Sequence, residues 1–251
     1  MLDGTHLLFI LISALVTAVL CVVLHYLRRP RLGHAAIVLA AVGTVALHYS
    51  PLWVSYLTTG TATVVAEMLF LIYPCHICMW LLVLSSALLQ REDPLSRLIK
   101  DFTFWGGTVC GTIGLVLNEN YDLMPDLSNY NVLKGLLSHS VMILGCVLLL
   151  VLGHVRIRVG RGLAAVVAGL ALFYLSGLFV NVLFAHYGLP SRNAMYLEST
   201  PYPALPWINS ATVALAALAV VFLSSALYEW LALPREERWY RRLMAVIKKH
   251  R

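Results

Sequence analysis

Apolar runs of about 20 residues recur along almost the whole chain, and that one feature leaves few folds open to it. In lipid a backbone must satisfy its own N–H and C=O groups, so runs of this length and apolarity are membrane helices. Seven are legible, at 7–27, 35–57, 62–90, 103–118, 133–153, 162–187 and 208–232. Composition agrees: 60% of the 251 residues are hydrophobic and 12% charged, where soluble domains carry about 25% charged residues. The fold class is therefore all-α, a polytopic membrane helical bundle of about seven transmembrane helices. It divides into a transmembrane domain, 1–232, and a basic tail, 233–251. No basic residue precedes the first run and no small-residue cleavage pattern follows it, so it reads as a retained helix.

Loop charges orient the bundle. Arg28, Arg29 and Arg31 occupy the first loop, Arg91, Arg97 and Lys100 the third, and Arg156, Arg158 and Arg161 the fifth. The second and fourth loops carry no Lys or Arg, and the sixth only Arg192. The tail holds Arg235, Arg238, Arg241, Arg242, Lys248, Lys249 and Arg251. By the positive-inside rule the N-terminus lies outside and the C-terminus in the cytoplasm, with the plasma membrane as the expected location. The net charge of +6 sits in loops and tail, not in a nucleic-acid footprint, so no nucleic-acid partner is expected. The tail reads as a juxtamembrane anchor on anionic lipid. Pro74 interrupts the third span. Dividing that span would put basic loops on both sides of the membrane, so it reads as one kinked helix.

On this topology the polar residues inside the spans gather in the extracytoplasmic halves. They are Asn118, Glu119 and Asn120 ending the fourth span, Ser138 and His139 in the fifth, and Asn181 and His186 late in the sixth. Tyr196, Tyr202 and Trp207 of the sixth loop suit a membrane interface. His48, Cys75 and His76 lie nearer mid-membrane, where ionisable groups face a bundle interior or a watery cavity.

Tyr73-Pro74-Cys75-His76-Ile77-Cys78 carries the chemistry. Proline removes one backbone hydrogen bond and clashes with the carbonyl four residues back, here Phe70. If the helix breaks there, Pro74 takes the first position of a new half-helix. Cys75 and His76 then stand in its first turn beside unpaired N–H groups, which favour an anion such as a thiolate. The same groups can hold an oxyanion, an effect of about 3–4 kcal/mol per donor in a protease. The plain alternative is an inert buried cysteine at an ordinary proline kink. Cys75-x-x-Cys78 is also a redox spacing. It resembles the entry of DsbB-type disulfide oxidases, but Leu82 stands where those carry arginine, and Cys110 and Cys146 lie within spans rather than in an outer loop. A zinc site from Cys75, His76, Cys78 and His139 lacks two separated pairs, so neither metal nor cofactor is expected.

His139 is the candidate base for Cys75, since Cys–His pairing is the usual route to an active thiol. Counted along the spans Cys75 sits deeper than His139, so a tilt or a late helix start is needed for them to meet. Glu67, two turns before Cys75, is placed to orient a histidine or to pair with His48.

Several segments together resemble the YwaF-like integral membrane proteins, the family that includes vertebrate transmembrane protein 164. They are LIYPCHICMWLLVL, FWGGTVCGTIGLVLNENYDLMP, LLSHSVMILGCVLLL and RNAMYLESTPYPALPW, in that order across most of 62–230. The resemblance implies a polytopic fold of six or seven helices and, from the vertebrate branch, lipid acyl transfer by a Cys/His pair. Pro74-Cys75-His76 matches the nucleophile motif and His139 the partner histidine. Cys78 stands where bacterial members keep their cysteine. Arg192-Asn193-Ala194-Met195-Tyr196 departs from the commoner Asn-Tyr-Met pattern. The implied reading is an acyltransferase acting on a membrane phospholipid or lysophospholipid. Cys75 and His139 are catalytic; His76, Asn118, Asn181 and Cys78 give oxyanion or other support. His186, Asn193, Met195 and Tyr196 contact substrate. Disulfide exchange through Cys75 and Cys78, or non-catalytic lipid binding, are the readings still open at this point.

Overall fold

The computed structural model describes residues 3–62, 64–200 and 206–249, all helix and loop with no strand among them; the side chains of Glu67, Glu119 and 245–249 are outside the description, as is Tyr202. Five helices are long and apolar enough to cross a membrane: α1 (Gly4–Leu27), α2 (Pro30–Thr59), α7 (Tyr130–Val151), α8 (Val159–His186) and α9 (Ser210–Ala232). Between α2 and α7 lie α3 (Ala66–Leu69), α4 (Pro74–Ala87), α5 (Pro94–Val116) and α6 (Glu119–Leu123). Single 3₁₀ turns at Ala194–Tyr196 and Arg235–Glu237 precede α9 and α10 (Trp239–Lys249) respectively.

The third span is the first departure from the sequence reading. It is not one kinked helix over 62–90 but two pieces, with extended backbone at Phe70 and Tyr73 between them. Proline supplies the cause: it has no N–H for the helix ladder and it drives the residue before it out of the α region. What remains, α4, has 14 residues, about 21 Å of helix against a hydrocarbon core of about 30 Å. Irregular backbone at such depth is tolerated where protein buries it. Ile72 meets that condition, with no exposed surface.

α5 occupies the centre. It packs against α4, α7 and α8; α2 closes on α4 and α7; α1 lies on α7 and α9 on α8. Small residues let these helices approach closely. A β-carbon at Gly107 of α5 would collide with the Cys146 sulfur of α7, and one at Gly114 with the His139 ring. The N-terminal part of α5 carries Arg97, Lys100 and Asp101. Buried Lys100 donates to the Arg91 carbonyl at 2.7 Å, and Asp101 takes a two-pronged bond from Arg161 at 2.8 and 2.9 Å.

Both chain ends are fastened by carboxylates. Asp3 caps α1 by accepting from the His6 N–H at 2.8 Å, and accepts the Tyr121 hydroxyl at 2.7 Å. Those two donors, the His6 amide first, hold the Asp3 carboxyl below the usual range. Glu229, fully buried in α9, accepts from the Val159 N–H at 2.9 Å, from the Trp239 N–H and from the Arg242 guanidinium at 2.7 Å. It therefore ties α8, α9 and α10 together. Glu229→Ala strands these donors at a cost of about 1–3 kcal/mol, and the detergent-solubilised variant is expected to melt several degrees lower with α10 open to protease. An unchanged melting midpoint would refute the clamp.

Candidate active site

The break before Pro74 builds the site. Pro74 holds the first position of α4, and its N-cap residue Tyr73 makes no side-chain capping bond to the helix. Helix starts leave N–H groups that a cap, water or a ligand must meet. The Cys75 sulfur lies against the N–H groups of Cys75 and His76. The His76 N–H also reaches the Tyr73 carbonyl at 3.0 Å. The Phe70 carbonyl, which position 74 would have served in a continuous helix, accepts instead from the Ile72 N–H at 2.9 Å and meets the His76 ring. His76 is buried, and its Nδ1 has no hydrogen-bond partner among the described residues.

A strap from the sixth loop holds the break open. The Met195 N–H donates to the Ile72 carbonyl at 2.8 Å. One residue earlier, Ala194 is gripped from both sides by the Asn181 amide, which accepts from the Ala194 N–H at 2.8 Å and donates to its carbonyl at 3.3 Å. Ile72, Val180, Phe184 and Ala194 form a small apolar core there. Asn193, Met195 and Tyr196 have φ of 46°, 55° and 55°, left-handed values costing about 1–3 kcal/mol each for non-glycine residues. Asn193 supplies the restraint, accepting from the Glu198 and Ser199 N–H groups, both at 3.0 Å, and donating to the Ser199 carbonyl at 3.0 Å. Close approach matters at Gly177, where a β-carbon would lie 2.8 Å from the Met195 β-carbon. Asn181→Ala removes both bonds to Ala194 and is expected to cost about 1–3 kcal/mol. The strap should then show faster amide exchange at Met195; exchange as slow as in the native chain would contradict this role.

Two further histidines come to His76, the neighbour of Cys75. The His48 and His76 rings meet edge-on at 4.7 Å between centroids, and Tyr73 meets His76 at 5.3 Å. His139 and Lys134 of α7 lie within electrostatic reach of His76. The His139 ring fills the space over Gly114. Cys75 is within reach of Cys110 on α5, one turn before Gly114, and residues four apart share a helix face. Cys75 and His139 thus address one strip of α5, a turn apart. Two differences from the sequence reading accompany this: α7 starts early, at Tyr130, which puts His139 further along its helix, and the break before Pro74 shortens the helix that carries Cys75. His48, expected only as a partner for Glu67, is the nearest ring to His76. The side chain of Glu67 lies outside the described residues.

Other expected site residues go elsewhere. The Asn118 amide is consumed at the α5–α6 corner, donating to the Gly114 carbonyl at 3.1 Å and accepting the Tyr121 N–H at 3.1 Å. It caps α6 there. His186 is exposed at the end of α8, edge-on to Tyr187 at 5.0 Å. Asn193 and Met195 serve the strap. Tyr196 turns its ring toward Tyr73, 5.8 Å away. Cys78 is fully buried behind Cys75. The strap itself had no signal in the sequence beyond a lone Asn181 in an apolar run. Among the described residues no three His, Cys, Asp or Glu side chains are grouped to hold a metal ion.

Set against curated proteins and against solved structures, the chain finds no match in either. Set against models of known protein families, it matches the TMEM164 family over residues 1–228. With all but its basic tail and the end of α9 aligned, the chain belongs to the TMEM164 family.

Proposed function

We propose that the chain is an intramembrane lipid acyltransferase with Cys75 as nucleophile. The observation that carries this is the start of α4, which has no side-chain cap and holds a half-buried thiol in its second position, followed by His76 in ring contact with His48. The Cys75 sulfur attacks an ester carbonyl of a phospholipid while its proton passes to His139. The carbonyl oxygen becomes an oxyanion, held by the Cys75 N–H at the start of α4, and a fixed donor of this kind needs no reorganisation when charge develops. The C–O bond then breaks, the lysophospholipid oxygen takes the proton from His139, and the acyl group stays on sulfur as a thioester. An acceptor lysolipid hydroxyl gives its proton to the same imidazole and attacks the thioester; the C–S bond breaks and the Cys75 sulfur takes that proton back. His76, seated on the Phe70 carbonyl, positions the break; Tyr196 and Tyr73 flank the entrance.

The topology belongs to the same proposal. Adding the α3–α4 pair and α5 to the five long helices gives seven spans, N-terminus outside. The site then opens to the extracytoplasmic side of the plasma membrane. Lipid enters laterally, and the dry bundle accepts the acyl tail and strengthens the dipoles around the sulfur. The test is capture of the thioester: protein incubated with phospholipid should carry an acyl group on Cys75 that neutral hydroxylamine removes.

A further inference from the structure

Four of the five cysteines converge between α4, α5 and α7, and the acyl-transfer reading uses only one. Cys75 and Cys78 stand one turn apart on α4. The Cys78 sulfur packs against Gly106 of α5, and Cys110 stands one turn further along that helix on the same face, with Cys75 and Cys146 within electrostatic reach. The glycines of α5 create this closeness. The Cys78 sulfur is 3.3 Å from where a β-carbon on Gly106 would stand, and the Cys78 β-carbon is 3.9 Å from the corresponding point at Gly107, where the Cys146 sulfur also presses. All are free thiols, Cys75 and Cys110 half-buried and the other two buried. A set of thiols drawn from three helices and packed against glycines is more than four separate small apolar side chains require.

We propose that Cys78 and Cys110 are a reserve dithiol that takes over the oxidation of Cys75, ending as a Cys78–Cys110 disulfide and returning Cys75 to its thiol form. The oxidant is a hydroperoxide able to enter the bundle. Cys75 attacks its outer oxygen, giving a Cys75 sulfenic acid and an alcohol (water when the oxidant is hydrogen peroxide). The Cys78 thiol displaces water from that sulfur and forms Cys75–S–S–Cys78, across a spacing that redox proteins also close at a helix start. The Cys110 thiol, one turn along α5 from the glycine on which Cys78 packs, attacks the Cys78 sulfur and expels Cys75. Two thiols and one hydroperoxide thus become one disulfide, one alcohol and one water. The last exchange moves the disulfide off Cys75, at the start of α4, and onto the pair that bridges α4 and α5. A nucleophile with a resolving thiol beside it is spared the irreversible steps of the oxidation ladder.

Only the benefit to catalysis rests on the acyl-transfer reading; the thiol chemistry does not. The test is a peptide map of the full chain in detergent, treated with tert-butyl hydroperoxide, alkylated and digested without reduction. The native protein should give a Cys78–Cys110 cross-linked peptide and an alkylated Cys75. In Cys110→Ala the cross-link should move to Cys75–Cys78, and alkylation of Cys75 should fall by about tenfold or more as exchange to Cys110 is lost. A native map with Cys75 oxidised while Cys78 and Cys110 remain alkylatable would overturn the proposal. So would a map with no oxidised thiol. Should Cys110→Ala fail to fold, the native map alone decides. A correct cross-link in a protein that never acquires an acyl group would retain this inference and remove the acyltransferase.

Discussion

Cys75→Ser should reduce acyl transfer below detection while leaving the melting temperature of the solubilised protein nearly unchanged. The change swaps one atom in a half-buried side chain, so packing around α4 is conserved. What it removes is the polarisable sulfur that the proposed transfer uses, and a hydroxyl at the same place is a weaker nucleophile because it is far harder to deprotonate. Cys78→Ala is the matched control. It should retain transfer, because Cys78 lies behind Cys75 with no exposed surface, whereas disulfide exchange as the protein's main activity would require both cysteines. Loss of transfer in Cys78→Ala with retention in Cys75→Ser would reverse the assignment.

His139→Ala should slow transfer by about 10²–10⁴-fold, the usual contribution of a general base. The effect can also be produced without touching the imidazole. A methyl at Gly114 would occupy the space of the His139 ring, so Gly114→Ala must displace that ring and should lower the rate in the same direction. The two changes are expected to be non-additive, since groups that act as a unit lose their effect once. A purely structural His139 would instead give two stability losses that add and a rate per folded molecule that does not change.

Much of the membrane architecture was legible in the chain because apolar length and loop charge are one-dimensional properties. The five long helices coincide with five of the seven runs, and Pro74 announced a disturbed third span. The severity of that disturbance was not legible. Whether a proline bends or breaks a helix depends on what else can satisfy the freed carbonyl, and here the Ile72 N–H and the His76 ring come to Phe70 while Met195 comes to Ile72. Nor does spacing reveal the rotation of one helix against another. Cys110 and Cys146 read as isolated intramembrane cysteines until the glycines of α5 drew them to Cys78. Asn118 at its corner and His186 at the end of α8 show that polar residues at span ends serve caps and interfaces as readily as chemistry. Asn181, whose role was expected only as support, holds the strap that keeps the break in place.

The central claim is that the start of α4 turns Cys75 into an acyl acceptor. The most direct measurement is intact and peptide-level mass spectrometry of the purified chain after incubation with a phospholipid of defined acyl chain. An acyl mass on the peptide bearing Cys75, released by neutral hydroxylamine and absent from Cys75→Ser, is the predicted result. An unmodified Cys75 alongside demonstrated lipid binding, or an acyl group that maps elsewhere and survives hydroxylamine, would contradict it.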